Sequence, residues 1–199
     1  MEVTVVVATF GDRAWIDTAQ AAIASARAQT HPARDVIHVH GETLHGARNA
    51  GAAQAQSEWL CFLDADDTLE AGYLAAMAAH EHEADLLGPA VQYVFEGGKI
   101  LAPPKLIDPM PLDTGNYLVV GTLVRKAMFE AVGGFEDWDF YEDWALWLRC
   151  HQAGATVVQV PEAVYIATHR FRSRNKAHSR PEKEAMHWAI RSAVLGVTA

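Results

Sequence analysis

Cysteine and long apolar runs are both scarce in this 199-residue sequence. The two cysteines, Cys61 and Cys150, lie inside apolar patterns without close metal-ligand spacing, so we expect reduced core thiols and no disulfide or zinc site. Apolar stretches such as residues 3–8 and 118–124 are far shorter than the roughly 20 residues that span a bilayer. No charged-then-apolar signal segment opens the chain. We therefore expect a soluble, cytoplasmic protein without a membrane span.

Positive charge is scarce over most of the chain. Residues 1–167 carry 9 Lys and Arg against 23 Asp and Glu, net −14, whereas residues 168–199 carry 7 against 2, net +5. The acidic body should repel nucleic acid, which argues against duplex DNA as a partner. The basic tail is compatible with an anion-binding segment or with a solvated amphipathic helix.

Strand-like and helix-like patterns alternate in the first half of the sequence. The strand-like segments are 3–8, 36–40 and 59–63, and the helix-like segments are 15–29, 47–56 and 71–82. Such alternation predicts a single compact α/β domain with a mostly parallel sheet flanked by helices. Ligands of these sheets gather beyond the carboxyl ends of the strands. Thr9, His40 and Asp64 each follow a predicted strand, so they should converge on one crevice.

The second half of the sequence is less regular. Segments 86–95 and 118–124 are strand-like, and they flank a proline-rich stretch, LAPPKLIDPMPLD, at residues 101–113. So many prolines exclude a central strand or helix and predict a long surface loop that reaches over the crevice. Two further helices are predicted, one beginning near Lys126 and ending at AVGGF, and one over residues 142–152.

Three carboxylates follow the third predicted strand in the stretch CFLDADDTL, at Asp64, Asp66 and Asp67. Like charges about 4 Å apart repel by roughly 1 kcal/mol in water and roughly 4 kcal/mol at an effective dielectric near 20. One interpretation is a cation between them. The other is that Asp66 or Asp67 caps a helix starting near Glu70 while Asp64 points to solvent.

Six short motifs occur in an order that resembles the family-2-like glycosyltransferases of the GT-A fold. In sequence order they are VVVATF with Thr9, GARNAG at 46–51, WLCFLDADD at 59–67, VGGFED at 132–137, YEDWALWLR at 141–149 and THR at 168–170. Together they cover roughly residues 3–170. The resemblance implies a Rossmann-like GT-A domain over residues 1–199, with a nucleotide-binding half (1–96), an acceptor and catalytic half (97–170) and a basic tail (171–199).

The resemblance implies that Asp64-Ala65-Asp66 is the family's Asp-X-Asp motif, which holds Mn²⁺ or Mg²⁺ on the diphosphate of a nucleotide-sugar donor. Hard divalent ions prefer carboxylate, water and phosphate oxygens, which agrees with this assignment. Asp66 is expected as a direct ligand, and Asp64 as a ligand, a water-mediated ligand or a ribose contact. His169 matches the family's late histidine near the metal or diphosphate. Thr9, His40, Arg48, Asp64 and Ala65 are the predicted donor-binding residues.

The same resemblance makes Asp143, in the stretch EDW, the catalytic base. A carboxylate that opens a helix gains from the helix dipole, so Asp143 is expected to be ionised and able to accept a proton. Aromatic residues surround it. Trp144 and Trp147 are expected in the core, whereas Trp138 and Tyr141, with Glu142, are the predicted acceptor contacts.

One stretch departs from the family pattern. Family members commonly carry an acidic stretch after the second strand that reads the nucleotide base, but here the sequence is His40-Gly41-Glu42-Thr43. The base preference therefore does not follow from the resemblance. His38 and His40, with His45 nearby, raise the alternative of a zinc cluster, which is disfavoured because no fourth ligand is spaced to close it.

The sequence thus predicts a metal-dependent, inverting glycosyltransferase of the hexosyltransferase type, with an unknown acceptor hydroxyl. Two rival interpretations remain. One is a nucleotide-sugar-binding module that has lost turnover, and the other is a nucleotidyltransferase, although the glycine-rich basic loop expected there is absent from TFGDRAW. Residues 169–176 carry alternating basic side chains and are predicted to order over the donor diphosphate.

Overall fold

A seven-stranded mixed sheet forms the centre of the fold in the computed structural model, which describes residues 1–170 and 178–197. The strands are β1 (Val3–Phe10), β2 (Asp35–Gly41), β3 (Trp59–Asp64), β4 (Thr68–Leu69), β5 (Leu86–Phe95), β6 (Leu123–Arg125) and β7 (Val157–His169). The helices are α1 (Ala14–Arg27), α2 (Leu44–Gln54), α3 (Tyr73–Ala78), α4 (Lys126–Ala131), α5 (Glu142–Gln152) and α6 (Arg180–Leu195).

The strand order in the sheet is β2-β1-β3-β6-β5-β7-β4. Strand β1 pairs in parallel with β2 and β3, and β5 pairs in parallel with β7. The short strand β6 runs antiparallel between β3 and β5, and β4 lies antiparallel at the edge beside β7. The predicted mostly parallel α/β sheet flanked by helices is therefore confirmed, and one sheet extends through both predicted halves of the chain.

Hydrophobic patterning explains which elements lie inside. Residues 3–7 of β1 are all buried, as expected for a parallel strand covered by helices on both faces. Helix α1 turns a small-residue face to the sheet, through Ala19, Ala22, Ile23 and Ala26. Trp144 and Trp147 are 1% and 0% exposed, which confirms them as core residues. Burial of each large apolar side chain contributes about 1.5–3 kcal/mol before entropy is counted.

Several element boundaries differ from the sequence prediction. The patterns do not predict β4, which has two residues, or β7, whose alternation is interrupted by Pro161. The predicted strand over 118–124 is reduced to β6, because only its end pairs with β3 and β5. Helix α3 is shorter than predicted and gives way to turns after Ala78.

The proline-rich segment is a loop, as predicted, and it contacts both β5 and α5. Lys105 in this segment and Ile100 just before it form isolated antiparallel bridges to β5. Near its end, the indole of Trp144 donates a hydrogen bond to the Leu112 carbonyl at 2.8 Å. The loop therefore reaches the helix that carries Asp143.

Helix α6 packs on α5, with Ile190 buried and Arg180 exposed. Ser179 and Glu182 form a capping box at its start, and Gly196 ends it in the left-handed conformation. Residues 180–195 are thus an amphipathic helix, and an anion-binding role for the tail stays a prediction. Among the helices in the described part of the chain, none is both long and apolar enough to cross a membrane.

Candidate active site

The acidic loop between β3 and β4, residues 64–67, lies at the carboxyl end of β3. Asp67 is buried and accepts hydrogen bonds from the Tyr165 hydroxyl and the Thr168 backbone N–H, both at 2.7 Å. Neither Asp66 nor Asp67 caps α3, whose N-cap is Gly72 and has no side-chain hydrogen bond. Asp67 instead joins the acidic loop to the end of β7, next to His169.

Burial and nearby negative charge raise the pKa of two carboxyl groups of this loop, Asp66 and Asp67. Burial is the largest cause of the raised pKa of Asp66, and the charge of Asp64 adds to it, while Arg170 acts in the opposite direction. Burial also raises the pKa of Asp67 well above its ordinary value, with further contributions from Asp64 and Asp66. Three carboxyl groups are therefore crowded in this loop, where burial and mutual repulsion disfavour the ionised forms of Asp66 and Asp67.

Arg48 is a buried guanidinium that joins the acidic loop to the start of α5. It donates from Nη2 to Asp64 Oδ1 at 2.7 Å and from Nη1 to Glu142 Oε1 at 2.8 Å. Its guanidinium carbon lies 4.8 Å from the centre of the Phe135 ring. Burial alone lowers the pKa of Arg48, but the two carboxylates outweigh it and raise the pKa overall. The predicted contact between Arg48 and the donor stays a prediction.

Local packing of α2 fixes the position of Arg48. Asn49 bonds to both backbone groups of Phe135, at 2.8 and 2.9 Å. A Cβ on Gly51 would lie 2.3 Å from Val6 Cγ1, so α2 can approach β1 this closely only with glycine there. The GARNAG motif thus lets α2 pack closely on β1, supplies the two hydrogen bonds to the Phe135 backbone, and provides the guanidinium that joins Asp64 to Glu142.

Asp143 lies in the first turn of α5 with part of its side chain accessible to solvent. Its Oδ2 accepts a hydrogen bond from Asn116 Nδ2 at 3.2 Å, and its Oδ1 accepts one from the Trp144 backbone N–H at 2.8 Å. Burial raises the pKa of Asp143 to about 7, and Glu142 adds to this effect. Burial and the like charge of Glu142 therefore work against the ionisation expected from the helix dipole, and Asp143 is ionised only in part near neutral pH.

The three predicted acceptor contacts occupy different environments. Glu142 is 5% exposed and bonds to Arg48. Trp138 is half-buried, with its indole N–H donating to Glu136 Oε2 at 3.0 Å. Tyr141 is half-buried at the N-cap of α5 with φ 63°, the one non-glycine residue with positive φ in residues 1–170 and 178–197. Their contacts with an acceptor stay predictions.

Thr9, near the end of β1, contacts two histidines of β2. Its hydroxyl lies 3.0 Å from both His38 Nε2 and His40 Nδ1. Burial, followed by the neighbouring His40, lowers the pKa of His38. His45 lies apart from this group and contacts Asp137 at 3.1 Å. The structure therefore brings Thr9 and His40 together as predicted, and their contact with a donor stays a prediction.

His169 is the last residue of β7, and Arg170 follows it. The His169 ring packs edge-on against Phe95 at 5.6 Å between centroids. Arg170 Nε lies 2.9 Å from Asp66 Oδ2. Within the described residues, no group of three or more histidine, cysteine or acidic side chains is gathered as a metal site, so the set Asp64, Asp66 and His169 stays a prediction. Most of the segment 169–176, predicted to order over the diphosphate, lies outside the described residues.

Sequence patterns miss several residues of this site. Asn116 lies in an irregular segment and gives no signal that it contacts Asp143. Tyr165 belongs to the unpredicted strand β7. The signal for Glu142 is its place beside Asp143, but its burial against Arg48 depends on contacts 94 residues apart in sequence.

Residues 12–131, more than half of the chain, match the family model described as Glycosyl transferase family 2. The chain belongs to this family. The matched range includes Arg48 and the acidic loop and ends before Asp143 and His169. Glycosyl transferase family 2 membership confirms the resemblance inferred from the sequence motifs.

Named relatives agree with the family assignment. The chain is 26% identical over 177 residues to the pre-mycofactocin glycosyltransferases of two Mycobacterium tuberculosis strains, CDC 1551 / Oshkosh and ATCC 25618 / H37Rv. The alignment covers 81% of this chain and 35% of each relative, so the chain spans about a third of the length of these curated relatives.

Solved structures with a similar fold include S. aureus TarS 1-349. Its complex with UDP-GlcNAc has a TM-score of 0.67 at 19% identity, covering 97% of this chain and 66% of that chain. Its complex with UDP has a TM-score of 0.65 at 18% identity, covering 97% and 65%. At this identity the likeness establishes the shared GT-A fold.

Proposed function

We propose that this protein is a metal-dependent, inverting glycosyltransferase that moves a sugar from a nucleoside-diphosphate sugar to a hydroxyl group of an acceptor substrate. The observation that carries the proposal is the single guanidinium of Arg48, bonded to Asp64 on one side and to Glu142, beside Asp143, on the other. Arg48 links carboxylates suited to a metal-bound diphosphate with a carboxyl group suited to remove a proton.

The acidic loop has the chemistry that a divalent cation requires. Asp64 and Asp66 offer hard oxygen ligands, and Mg²⁺ or Mn²⁺ commonly takes one or two carboxylates together with substrate phosphates and water. Burial, followed by the charge of Asp64, raises the pKa of Asp66, and a bound cation would favour its ionised form. When bound, the cation would neutralise the charge of the departing diphosphate. His169 is proposed as a further ligand on the strength of the family motif.

Asp143 is proposed as the general base. A carboxyl group with a pKa of about 7 is well matched to proton transfer at neutral pH. Its carboxylate would accept the proton of the acceptor hydroxyl while that oxygen bonds to the anomeric carbon. In the same step the bond from that carbon to the diphosphate oxygen breaks, and the bonding electrons leave with the nucleoside diphosphate. Direct displacement inverts the configuration at the anomeric carbon.

The donor is proposed to bind across the ends of β1, β2 and β3, through Thr9, His40, Arg48, Asp64 and Ala65. The fold neighbour TarS has been crystallised with UDP and with UDP-GlcNAc. UDP-sugars are therefore the first donors to test, beside sugars carried on GDP, ADP and TDP.

Calorimetry with each nucleoside diphosphate, with and without Mn²⁺, tests the proposed donor site. Asp66→Ala should abolish the effect of Mn²⁺ on diphosphate affinity, whereas Asp108→Ala, at an exposed carboxylate of the proline-rich loop, should leave it unchanged. If Asp66→Ala binds as tightly as the parent in Mn²⁺, and a chelator leaves the parent unaffected, the metal proposal is wrong.

Asp143→Asn separates catalysis from binding, because it removes the proton acceptor while keeping the volume of the side chain. We expect unchanged donor affinity and a transfer rate lower by about 10²–10⁴-fold. Product analysis distinguishes the rival functions. Release of nucleoside diphosphate supports sugar transfer. Release of sugar 1-phosphate would indicate nucleotidyl transfer, and tight binding without turnover of any acceptor would indicate a binding module.

A further inference from the structure

A cleft of about 320 Å³ lies between the start of α5 and the first turns of α6, and the mechanism above does not use it. Its lining residues are Tyr141, Arg180, Lys183, Glu184 and His187. Tyr141 is two residues before Asp143. In addition, His187 Nε2 lies 3.1 Å from the Thr114 carbonyl oxygen, close in sequence to Asn116, which bonds to Asp143. The cleft therefore adjoins the proposed base.

Aromatic stacking holds the walls of this cleft in place. The His187 ring stacks on Trp144 at 4.2 Å between centroids and an interplanar angle of 21°. The His178 ring, just before α6, stacks on Phe140 at 4.2 Å. Because Trp144 is buried and α6 begins with a capping box, both walls are built on ordered helix ends.

The cationic groups of the cleft differ in how they are compensated. Arg180 is exposed and pairs with Glu184 at 2.8 Å. Lys183 is half-buried, and in residues 1–170 and 178–197 no hydrogen bond or ion pair is found for its ammonium group. By contrast, the partly buried ammonium of Lys126 is paired with Glu130 at 3.1 Å. A partly desolvated cation beside an aromatic ring is suited to a bound anion, whose charge would offset the lost hydration.

We propose that this cleft binds an anionic group of the acceptor substrate, with Lys183 supplying the charge and the Tyr141 ring a flat surface. The assignment of this anion to the acceptor rests on the proposed function, whereas the anion site itself does not. The substrate class is then a hydroxyl compound that also carries a phosphate ester or a carboxylate. A local basic site would let a protein whose residues 1–167 carry a net charge of −14 bind an anionic acceptor.

Lysine NMR tests the anion site directly, because the sequence holds only five lysines, at positions 99, 105, 126, 176 and 183. Reductive methylation with ¹³C-formaldehyde keeps their charge, and single Lys→Arg variants assign the signals. Glycerol 3-phosphate, glycerate and glycerol are the probes. We expect the Lys183 signal to shift with an anionic probe and not with glycerol, while the Lys126 signal stays fixed. The phosphate and carboxylate probes show which anion is preferred.

Two variants make the test quantitative. Lys183→Gln should weaken binding of the preferred probe by at least tenfold, and Lys126→Gln should not, with both keeping the parent's affinity for nucleoside diphosphate. Equal weakening by both variants, or a Lys183 shift as large with glycerol as with the anionic probes, would overturn the proposal. Failure of the parent to bind any nucleotide sugar would instead overturn the proposed function and leave the anion site standing.

Discussion

Arg48 shows how one side chain can determine the electrostatics of a whole site. Its guanidinium is 2% exposed and bonds to two acidic groups from distant parts of the sequence. Removing one partner of a buried charge network costs more than removing an exposed pair, because the remaining charges stay desolvated.

We expect Arg48→Met to lower the free energy of unfolding by about 3–5 kcal/mol, since Glu142 would stay buried without its guanidinium. Arg34→Met is the matched control. Arg34 pairs with Glu2 on the surface, where such pairs contribute about 0–1 kcal/mol. Urea unfolding measures both. Similar losses for the two variants would contradict a special role for the buried bridge.

The pKa of Asp143 predicts a pH dependence of stability that needs no substrate. Its folded-state pKa of about 7 is above the unfolded value of 3.8, so between these values the folded state binds more protons. The contribution of Asp143 to the free energy of unfolding is therefore highest below pH 3.8 and falls as the pH rises towards 7. Asn at this position cannot titrate. The Tm of Asp143→Asn relative to the parent should rise between pH 5 and pH 8, as thermal unfolding can measure, and a pH-independent difference would contradict the raised pKa.

The same residue predicts the pH dependence of catalysis. A general base works when it is deprotonated, so transfer should increase with pH and level off above about 7. Initial rates with a working donor and acceptor, measured from pH 5 to pH 9, check this. A rate that is flat through this range would assign the proton acceptor to another group.

Motifs predicted which residues form the candidate site but not how their charges are balanced. Asp64, Asp66 and Asp143 could be located from short patterns, because their spacing along strands and helix starts is local information. The burial of Glu142 and the raised pKa of Asp143 could not, since both depend on what packs against them from remote segments. Asn116 illustrates the limit, because it approaches Asp143 from an irregular loop.

At the level of elements, the approach of α2 to β1 determines where Arg48 lies. Gly51 faces Val6 so closely that an added Cβ would lie 2.3 Å from a methyl carbon. Alanine is ordinarily the better helix former by about 0.5–1 kcal/mol, so a loss of stability on Gly51→Ala would reveal the steric contact.

We expect Gly51→Ala to destabilise the protein by about 1–3 kcal/mol. Gly72→Ala is the control, because Gly72 is also at a helix, has φ −86° and would place an added Cβ with no other atom within 4 Å. Gly72→Ala should leave the free energy of unfolding unchanged. Val6→Ala in the Gly51→Ala background should recover part of the loss, giving a favourable coupling in a double-mutant cycle. Additive effects would contradict direct contact.

Elements were predictable where their periodicity is local. Strands β1, β2, β3 and β5 and helix α5 follow continuous apolar or amphipathic patterns, and the sequence predicts each within a few residues. Strand β4 is two residues long, and it exists because β7 pairs with it. Strand β7 carries Pro161, which weakens its pattern, and its place beside β5 is a long-range property.

At the scale of the whole molecule, one buried thiol in each predicted half reports on cooperativity. Cys61 lies in β3 and Cys150 in α5, and burial raises the pKa of each thiol to about 12. The thiolate is the form that attacks a labelling reagent, so both cysteines must be exposed by unfolding before they react.

If the halves 1–96 and 97–170 unfold as one unit, both thiols should become reactive with the same opening free energy. Peptide mass spectrometry after timed labelling at increasing urea concentrations measures each thiol separately. The variants Cys61→Ser and Cys150→Ser control for cross-reaction. If the opening free energy of one thiol is lower than that of the other by several kcal/mol, the two halves open independently.

The strand order has a geometric consequence for the acidic loop. Strands β3 and β4 are four places apart in the sheet, which is about 19 Å along its surface at about 4.8 Å per strand. The chain from Asp64 to Thr68 can stretch only about 14 Å over four residues. The sheet must therefore curve, so that β4 comes close to the end of β3 and the Asp64–Thr68 segment can join them directly. Because of this curvature, Tyr165 of β7 lies close enough to the acidic loop to donate a hydrogen bond to Asp67. The length of the acidic loop is thus set by the curvature that it closes as well as by the charges that it carries.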